Sequence, residues 1–313
     1  MISYRTFRNS DPPHLARIWK AAAEVDGALR ALDVNLLDEL VFSKSYFDPH
    51  GLFIAVDDGR PVGFAHAGFG PAEDLSHLDE RCGVVSMLVI EERIDKAVLG
   101  VQLLQRCEAY LREHKAERMY AIGYGMISPF YLGLYGGSEL PGVLATDDER
   151  LTFFQKHGYA EVDRVSVMLC DLTGFRPKVG RVELQMRRSM SVEVVEDAAP
   201  ANWWEACRRG SFEKIQFQMR PRAGGNSVAT ATFWNIEPLT GSWCNEPLGL
   251  GPVKTKDGQS EMAPFLIGEA LKQLSLKRFP SVEAQVLQSD PAAAGVFENL
   301  GFSQSREGIA LCK

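Results

Sequence analysis

Val84-Val85-Ser86-Met87-Leu88-Val89-Ile90, followed after a short polar turn by Asp95-Lys96-Ala97-Val98-Leu99-Gly100, is the stretch that decides the fold. The first seven residues are apolar except for Ser86, the pattern of a strand buried on both faces. Beyond the turn, small or apolar residues recur at helical spacing at Gly100, Leu103, Leu104, Cys107 and Leu111, which predicts a long amphipathic helix over 96–114. A helix N-terminus therefore follows closely on the end of a buried strand.

Strand and helix signals alternate outward from this stretch. Ile2 to Arg8 alternates as a strand, and Asp11-Pro12-Pro13 opens a helix through Leu15, Ile18 and Trp19. Leu36 to Phe42 is a second, shorter helical stretch. Leu52–Val56 and Pro61–Phe69 flank the hairpin turn Asp57-Asp58-Gly59. Downstream, Met119–Ile122 reads as a strand, a Gly-rich segment follows, Asp147–His157 reads as a helix, and Val165–Leu169 as a strand. Thr173-Gly174-Phe175-Arg176-Pro177 interrupts the alternation, which places a linker within 172–182 and domains at 1–175 and 176–313. The second half repeats the order: a strand at Val182–Met186 or Val192–Val195, a helix near Trp203, strands at Phe212–Met219 and Val228–Trp234, a strand ending near Val253, and a helix over Glu261–Leu276. Val282–Leu287 then reads as a strand and Pro291–Leu300 as a helix.

The halves also match in detail. Leu266, Ile267, Ala270 and Leu274 stand relative to Ala263 as Leu103, Leu104, Cys107 and Leu111 stand relative to Gly100. Asp147 through Tyr159 parallels Asp290 through Phe302: an Asp at the helix start, a Phe near its end, then Gly and an aromatic. The Gly suits a left-handed C-terminal cap and the aromatic begins the next strand. The first half is about 20 residues longer between the two motifs, and the surplus falls on 124–143.

The bulk properties narrow the function. The chain has 313 residues, suited to two domains of about 150. Its net charge of −7 disfavours nucleic acid as a partner. No apolar run reaches the roughly 18 residues of a membrane span. The six cysteines, Cys82, Cys107, Cys170, Cys207, Cys244 and Cys312, are scattered, which predicts no metal site and reduced, buried thiols. Met1 to Asp11 lacks a signal-peptide core, so a cytoplasmic location is expected.

The order of strand, turn, long helix, strand, and helix ending in Phe-Glu-Asn-Leu-Gly-Phe at 297–302 resembles the GCN5-related N-acetyltransferase (GNAT) superfamily. The family's turn, (Gln/Arg)-x-x-Gly-x-(Gly/Ala) ahead of paired aliphatics, falls on Asp95–Gly100 with Leu103-Leu104, and again on Gly258–Ala263 with Leu266-Ile267. The resemblance implies an α/β (α+β) fold of two tandem GNAT-like modules, each a mixed, mostly antiparallel splayed sheet flanked by helices. It also implies acetyl-CoA as co-substrate and a small amine or amino-acid-like acceptor. The coenzyme's diphosphate is expected on the backbone amides of Asp95, Lys96, Ala97, Val98, Leu99, Gly100 and Val101. A helix N-terminus offers unpaired N–H groups and partial positive charge there without a cationic side chain. Glu261 at the equivalent place in the second half would repel a phosphate, so the first module is the expected site and the second a structural or interfacial one.

By the same resemblance, Met87, Leu88 and Val89 hold the acyl carbonyl, and Phe154, where the family carries its acid tyrosine, lies against the coenzyme. Ser86 stands near the family's glutamate, so His66 and Glu91 are the substitute bases, and Tyr131 and Tyr135 the substitute acids. The Gly-rich segment 123–137 is expected to wall the acceptor side. An N-acetyltransferase follows, with a non-catalytic acyl-CoA-binding module and an aminoacyl-tRNA-dependent transferase as alternatives; the oligomeric state stays open, a homodimer included.

Overall fold

The computed structural model describes residues 1–25, 29–93, 95–177, 180–196, 198–236, 247–256 and 261–313. Cys244 and positions 258–260 of the second turn lie outside the described residues. In chain order the first part runs β1 (Ile2–Thr6), α1 (Pro12–Val25), α2 (Val34–Leu37, continued as a π-helical turn over Asp38–Phe42), β2 (Leu52–Asp57), β3 (Arg60–Pro71), β4 (Leu78–Ile90), α3 (Lys96–Glu113), β5 (Arg118–Ala121), β6 (Val143–Leu144), α4 (Asp148–Lys156) and β7 (Ala160–Asp171). The second runs α5 (Arg181–Ser189), β8 (Met190–Glu196), α6 (Trp203–Arg209), β9 (Lys214–Pro221), β10 (Ala229–Asn235), β11 (Leu248–Leu250), β12 (Lys254–Thr255), α7 (Met262–Leu276), β13 (Ser281–Leu287), α8 (Pro291–Asn299) and β14 (Ser303–Cys312).

Two compact units result, with bounds that differ from the linker reading. The first comprises Met1–Val165, Pro200–Ser211 and Glu307–Lys313; the second comprises Ser166–Ala199 and Phe212–Arg306. A cut inside 172–182 therefore does not separate them. The reason lies in what the first unit buries: Trp204 from α6 and Ile309, Ala310 and Leu311 from β14 all belong to its core.

In the first unit β1, β2, β3 and β4 pair antiparallel in sequence, and β4 pairs parallel with β5. The β2–β3 turn is the type I′ hairpin its residues call for, with φ 45° at Asp58 and 85° at Gly59. The last strand supplies β5 with its other neighbour, Leu311 opposite Ala121 and Cys312 opposite Tyr120. Side chains alternate along β3. His66 stacks on Phe130 at 4.2 Å and hydrogen-bonds Tyr131, which stacks on Trp19 of α1 at 5.7 Å, while Phe69 packs on Tyr110 of α3 at 5.9 Å. Helices α1 and α3 therefore cover opposite faces of the sheet.

Most of the Gly-rich segment expected to wall the acceptor side is interior. Residues 128–144 are buried, and α6 covers them: Trp204 Nε1 donates to Met126 O at 2.9 Å, and Glu139 is enclosed between Arg208 and Arg209, all three buried. The surplus of the first half is thus core.

In the second unit β8, β9, β10 and β11 pair antiparallel and β11 pairs parallel with β13. Its core joins Phe217 and Phe233 of the sheet to Leu266, Ile267, Leu271 and Leu274 of α7. Of the two stretches offered for the first strand of this half, Val192–Val195 lies in β8. Val182–Met186 is helical, within α5, whose Glu183 side chain reaches back to the Gly180 N–H at 2.8 Å. The strand expected to end near Val253 stops at Leu250; the Gly251 N–H still bonds Thr232 O at 3.0 Å, and strand pairing with β10 resumes at Lys254. Of the cysteines, Cys82, Cys107 and Cys170 are buried and Cys207 and Cys312 partly exposed, all as free thiols.

Residues 1–175 expressed alone should aggregate or unfold without cooperativity, since β5 loses the strand that covers its edge and the core loses Trp204. A sharp thermal transition from that fragment, matching one in the full chain, would overturn the unit assignment.

Candidate active site

The site begins where two strands part. β4 pairs with β5 from Cys82–Arg118 to Val85–Ala121, and the Ile122 N–H closes the ladder on Val85 O at 2.8 Å. On its other side β4 stays paired with β3 as far as Ile90–Gly63. The register slips by one residue between His66–Met87 and Ala67–Val85, so Ser86 is the extra residue of a β-bulge placed where β5 leaves. Residues 86–90 then present a free edge to the opening. The Glu91 N–H donates to Val62 O at 3.0 Å, which fixes the alternation. Met87 and Val89 turn their amides toward β3, and Leu88 and Ile90 turn theirs into the opening. Of the three residues expected at the acyl carbonyl, only Leu88 offers its N–H there; Ile90 joins it.

A cavity of about 1060 Å³ fills the opening. Leu88, Val89 and Ile90 line it from β4, Lys96, Ala97, Gly100 and Val101 from α3, and Asp147 to Arg150, Thr152 to Phe154, Lys156 and His157 from α4 and its caps. Ala21 and Ala22 of α1 also line it. Since α1 and α3 lie on opposite faces, the cavity passes the β4 edge from one face to the other.

At the α3 end the helix keeps its amides free of its own side chains. Asp95 occupies the N-cap but makes no cap hydrogen bond, because Arg93 holds its carboxylate. α4, α6 and α8 by contrast are capped by Asp147, Asn202 and Asp290. Ala97 and Val98 are exposed at the first turn, whereas the Leu99 N–H returns to Asp95 O at 3.1 Å and its side chain is buried. The donors available to an anion are therefore those at the Ala97–Val98 end of the predicted set, aided by the helix dipole. Val98, where the family pattern has glycine, turns its side chain outward and is 63% exposed, so it does not obstruct that end. Gly100 serves packing: a Cβ there would lie 3.2 Å from the Phe153 ring of α4.

Lys96 stands at the head of α3 with Nζ 2.9 Å from Glu149 and 3.1 Å from Glu92. Burial lowers its pKa, but the hydrogen bonds to Glu149 and Glu92 outweigh this and the net shift is upward.

The expected acids and bases are drawn elsewhere. His66 is completely buried, with Nδ1 3.1 Å from the Tyr131 hydroxyl, and burial pushes its pKa down to about 3. Its Nε2 and the Ser86 hydroxyl are buried without a hydrogen-bond partner. Glu91 is held by Arg17 and by Arg60 at 3.0 Å, outside the cavity lining. Tyr131 is buried against Trp19, and burial raises its pKa. Tyr135 is buried behind α4, donating to Asp147 at 3.0 Å and accepting from the Leu144 N–H at 3.0 Å; burial again raises its pKa. Only Phe154, itself buried, lines the cavity among the aromatic residues nominated. The sequence reading missed the Asp147–Arg150 ion pair, His157 and Ala21-Ala22 as lining groups. The Asp147 helix-start signal was the one available clue, whereas α1 reaches the cavity only through tertiary packing.

The Acetyltransferase (GNAT) family profile matches residues 18–125, which contain β4, the turn and α3. No curated protein matches the chain. Among solved structures, the whole chain superposes on a tandem GNAT protein from the clavulanic acid biosynthesis pathway with a TM-score of 0.66 and 13% identity, over 98% of that protein. It superposes on a GCN5-related N-acetyltransferase from Sphaerobacter thermophilus with a TM-score of 0.61 and 15% identity, over 95% of that chain. A GCN5-related glucosamine N-acetyltransferase region of a fungal multi-domain β-N-acetylglucosaminidase gives 0.70 at 14% identity, and the chain spans 38% of that protein's length. At these identities the likeness is one of fold.

His66 is neutral in the folded state down to about pH 3 and titrates near pH 6.5 when unfolded, so the unfolded state binds the extra proton between those limits. Its contribution to stability is complete above pH 6.5 and is lost as pH falls toward 3. His66→Asn should flatten the fall in folding free energy between pH 6 and 4 by up to about 1.4 kcal/mol per pH unit, measured by urea titration; an unchanged slope would contradict the buried, neutral imidazole.

Proposed function

We propose that this chain, a tandem member of the GNAT superfamily, transfers an acetyl group from acetyl-CoA to the amine of a small, amino-acid-like acceptor in the cleft of its first unit. The parted β4 and β5 carry the reading, because they open a cavity from an uncapped helix N-terminus past inward-turned strand amides to the opposite face.

Each group has a task in this scheme. The first-turn amides of α3 take the diphosphate. The edge of β4 at Leu88–Ile90 aligns the pantetheine arm, and the Leu88 N–H donates to the acyl oxygen, where charge grows during attack. Ala21 and Ala22 leave room at the acyl end. The acceptor's nitrogen must arrive neutral; its proton leaves through water, since His66, Glu91, Tyr131 and Tyr135 are engaged or buried away from the cavity. Proximity then supplies most of the rate.

The second unit fits the same role poorly. Gly251 N–H bonds to Thr232 O at 3.0 Å, so the next residue is the one turned away from β10, and it is Pro252, which has no N–H. Glu261 forms the N-cap of α7. Phe175–Pro177 and α5 lie beside α7 and α8, with Arg187 2.6 Å from Glu269, around a smaller cavity of about 530 Å³.

None of His66, Glu91, Tyr131 and Tyr135 lines the cavity, which supports a second reading, an acyl-CoA-binding module without turnover. Thiol release from acetyl-CoA across a panel of amines separates the two: acceptor-dependent release supports transfer, and saturable binding without release supports the module. Ala97→Pro deletes one first-turn N–H at a position where helices tolerate proline. It should weaken coenzyme A binding about tenfold by calorimetry, the worth of one charge-assisted hydrogen bond, with little change in Tm. Unchanged affinity would remove α3 from the diphosphate site.

A further inference from the structure

The charges at the mouth of the cavity oppose the ligand assigned to it. Lys96 of α3 and Glu149 of α4 face one another across the mouth with 2.9 Å between them, and Glu92 takes the same ammonium from the β4–α3 turn at 3.1 Å. All three line the cavity, as does Asp148. One cation is therefore shared by two carboxylates at the place where a diphosphate would sit. Glu149 also lies in the first turn of α4, where a negative charge suits the helix dipole, so it has a stabilising role whether or not a ligand binds.

The exposure of the three groups decides which role dominates for binding. The Lys96 side chain is 29% exposed, but those of Glu149 and Glu92 are 72% and 65% exposed. Exposed pairs are weak and screened by salt, so they give way readily to a multiply charged oxyanion. A phosphate oxygen offers Lys96 a stronger charge-assisted bond than either carboxylate.

We infer that Glu149 is an affinity gate for the coenzyme: it holds Lys96 until a diphosphate takes its place on the ammonium, and the loss of that ion pair is subtracted from binding. This rests on the coenzyme reading of the cleft and adds a residue whose removal improves binding. The reaction scheme is otherwise unaltered, because the exchange precedes acyl transfer and involves no bond-making at the acyl carbon.

The test is a double-mutant cycle on the full chain, with dissociation constants measured by calorimetry for coenzyme A and for pantetheine, which lacks the diphosphate. Glu149→Gln should tighten coenzyme A about 3–5-fold, the worth of one exposed ion pair, and leave pantetheine unchanged. Lys96→Met should weaken coenzyme A, and adding Glu149→Gln in that background should change it less than about twofold. Asp148→Asn is the control for general repulsion. An equal gain in the Lys96→Met background, or from Asp148→Asn, would reduce the effect to long-range charge and overturn the exchange. No gain from Glu149→Gln would overturn it as well, while wild-type binding of coenzyme A kept the cleft assignment. Failure of every variant to bind coenzyme A would overturn both.

Discussion

The end of the β4–β5 ladder at Val85–Ala121 is the constraint on which the first unit's cleft depends. Backbone groups inside a protein must be paired or left open to a ligand or solvent. By parting from β5 while still paired to β3, β4 keeps one edge satisfied and turns the other into a row of donors and acceptors along the cavity. The bulge at Ser86 lets the strand change course at that point without breaking its pairing with β3. Everything the cleft offers, from the amide of Leu88 to the head of α3, is placed by that one divergence.

Holding two strands apart needs packing on both sides. On one face Leu99, Leu103, Leu104 and Cys107 of α3 are buried. On the other, His66, Phe130, Tyr131 and Trp19 form a continuous aromatic cluster, stacked at His66–Phe130 and Trp19–Tyr131 and edge-on between His66 and Tyr131. Behind those rings the Gly-rich segment is sealed by α6, with Glu139 shared by Arg208 and Arg209 in the interior. Breaking such a cluster from one side strands a charge in a poor solvent for it, at a cost of several kcal/mol. The titratable groups nearest the bulge are thus spent on structure. Burial keeps His66 neutral, and the hydroxyls of Tyr131 and Tyr135 are occupied.

The substitutions in the turn motif have a physical reading as well. A valine is accepted at position 98 because its side chain points to solvent, and glycine at 100 lets the Phe153 ring of α4 close on the helix. The same motif thus mixes exposed positions with positions that serve helix packing, and spacing alone does not separate them.

The sequence by itself determined the elements and their duplication. The apolar run at 84–90, the helical spacing from Gly100 to Leu111, the Asp58-Gly59 turn and the paired Asp-to-aromatic helices are local patterns, and local backbone preference is enough to realise them. Only the tertiary structure decided which of these elements meet. Trp204 and Leu311 join the first unit from far along the chain, Glu91 is claimed by Arg17 and Arg60, and Glu149 reaches Lys96 across the cavity. Strand pairing, burial and ion pairing act between residues remote in sequence, and it is through these that a nominated base became a buried prop and an unremarked glutamate became part of the site.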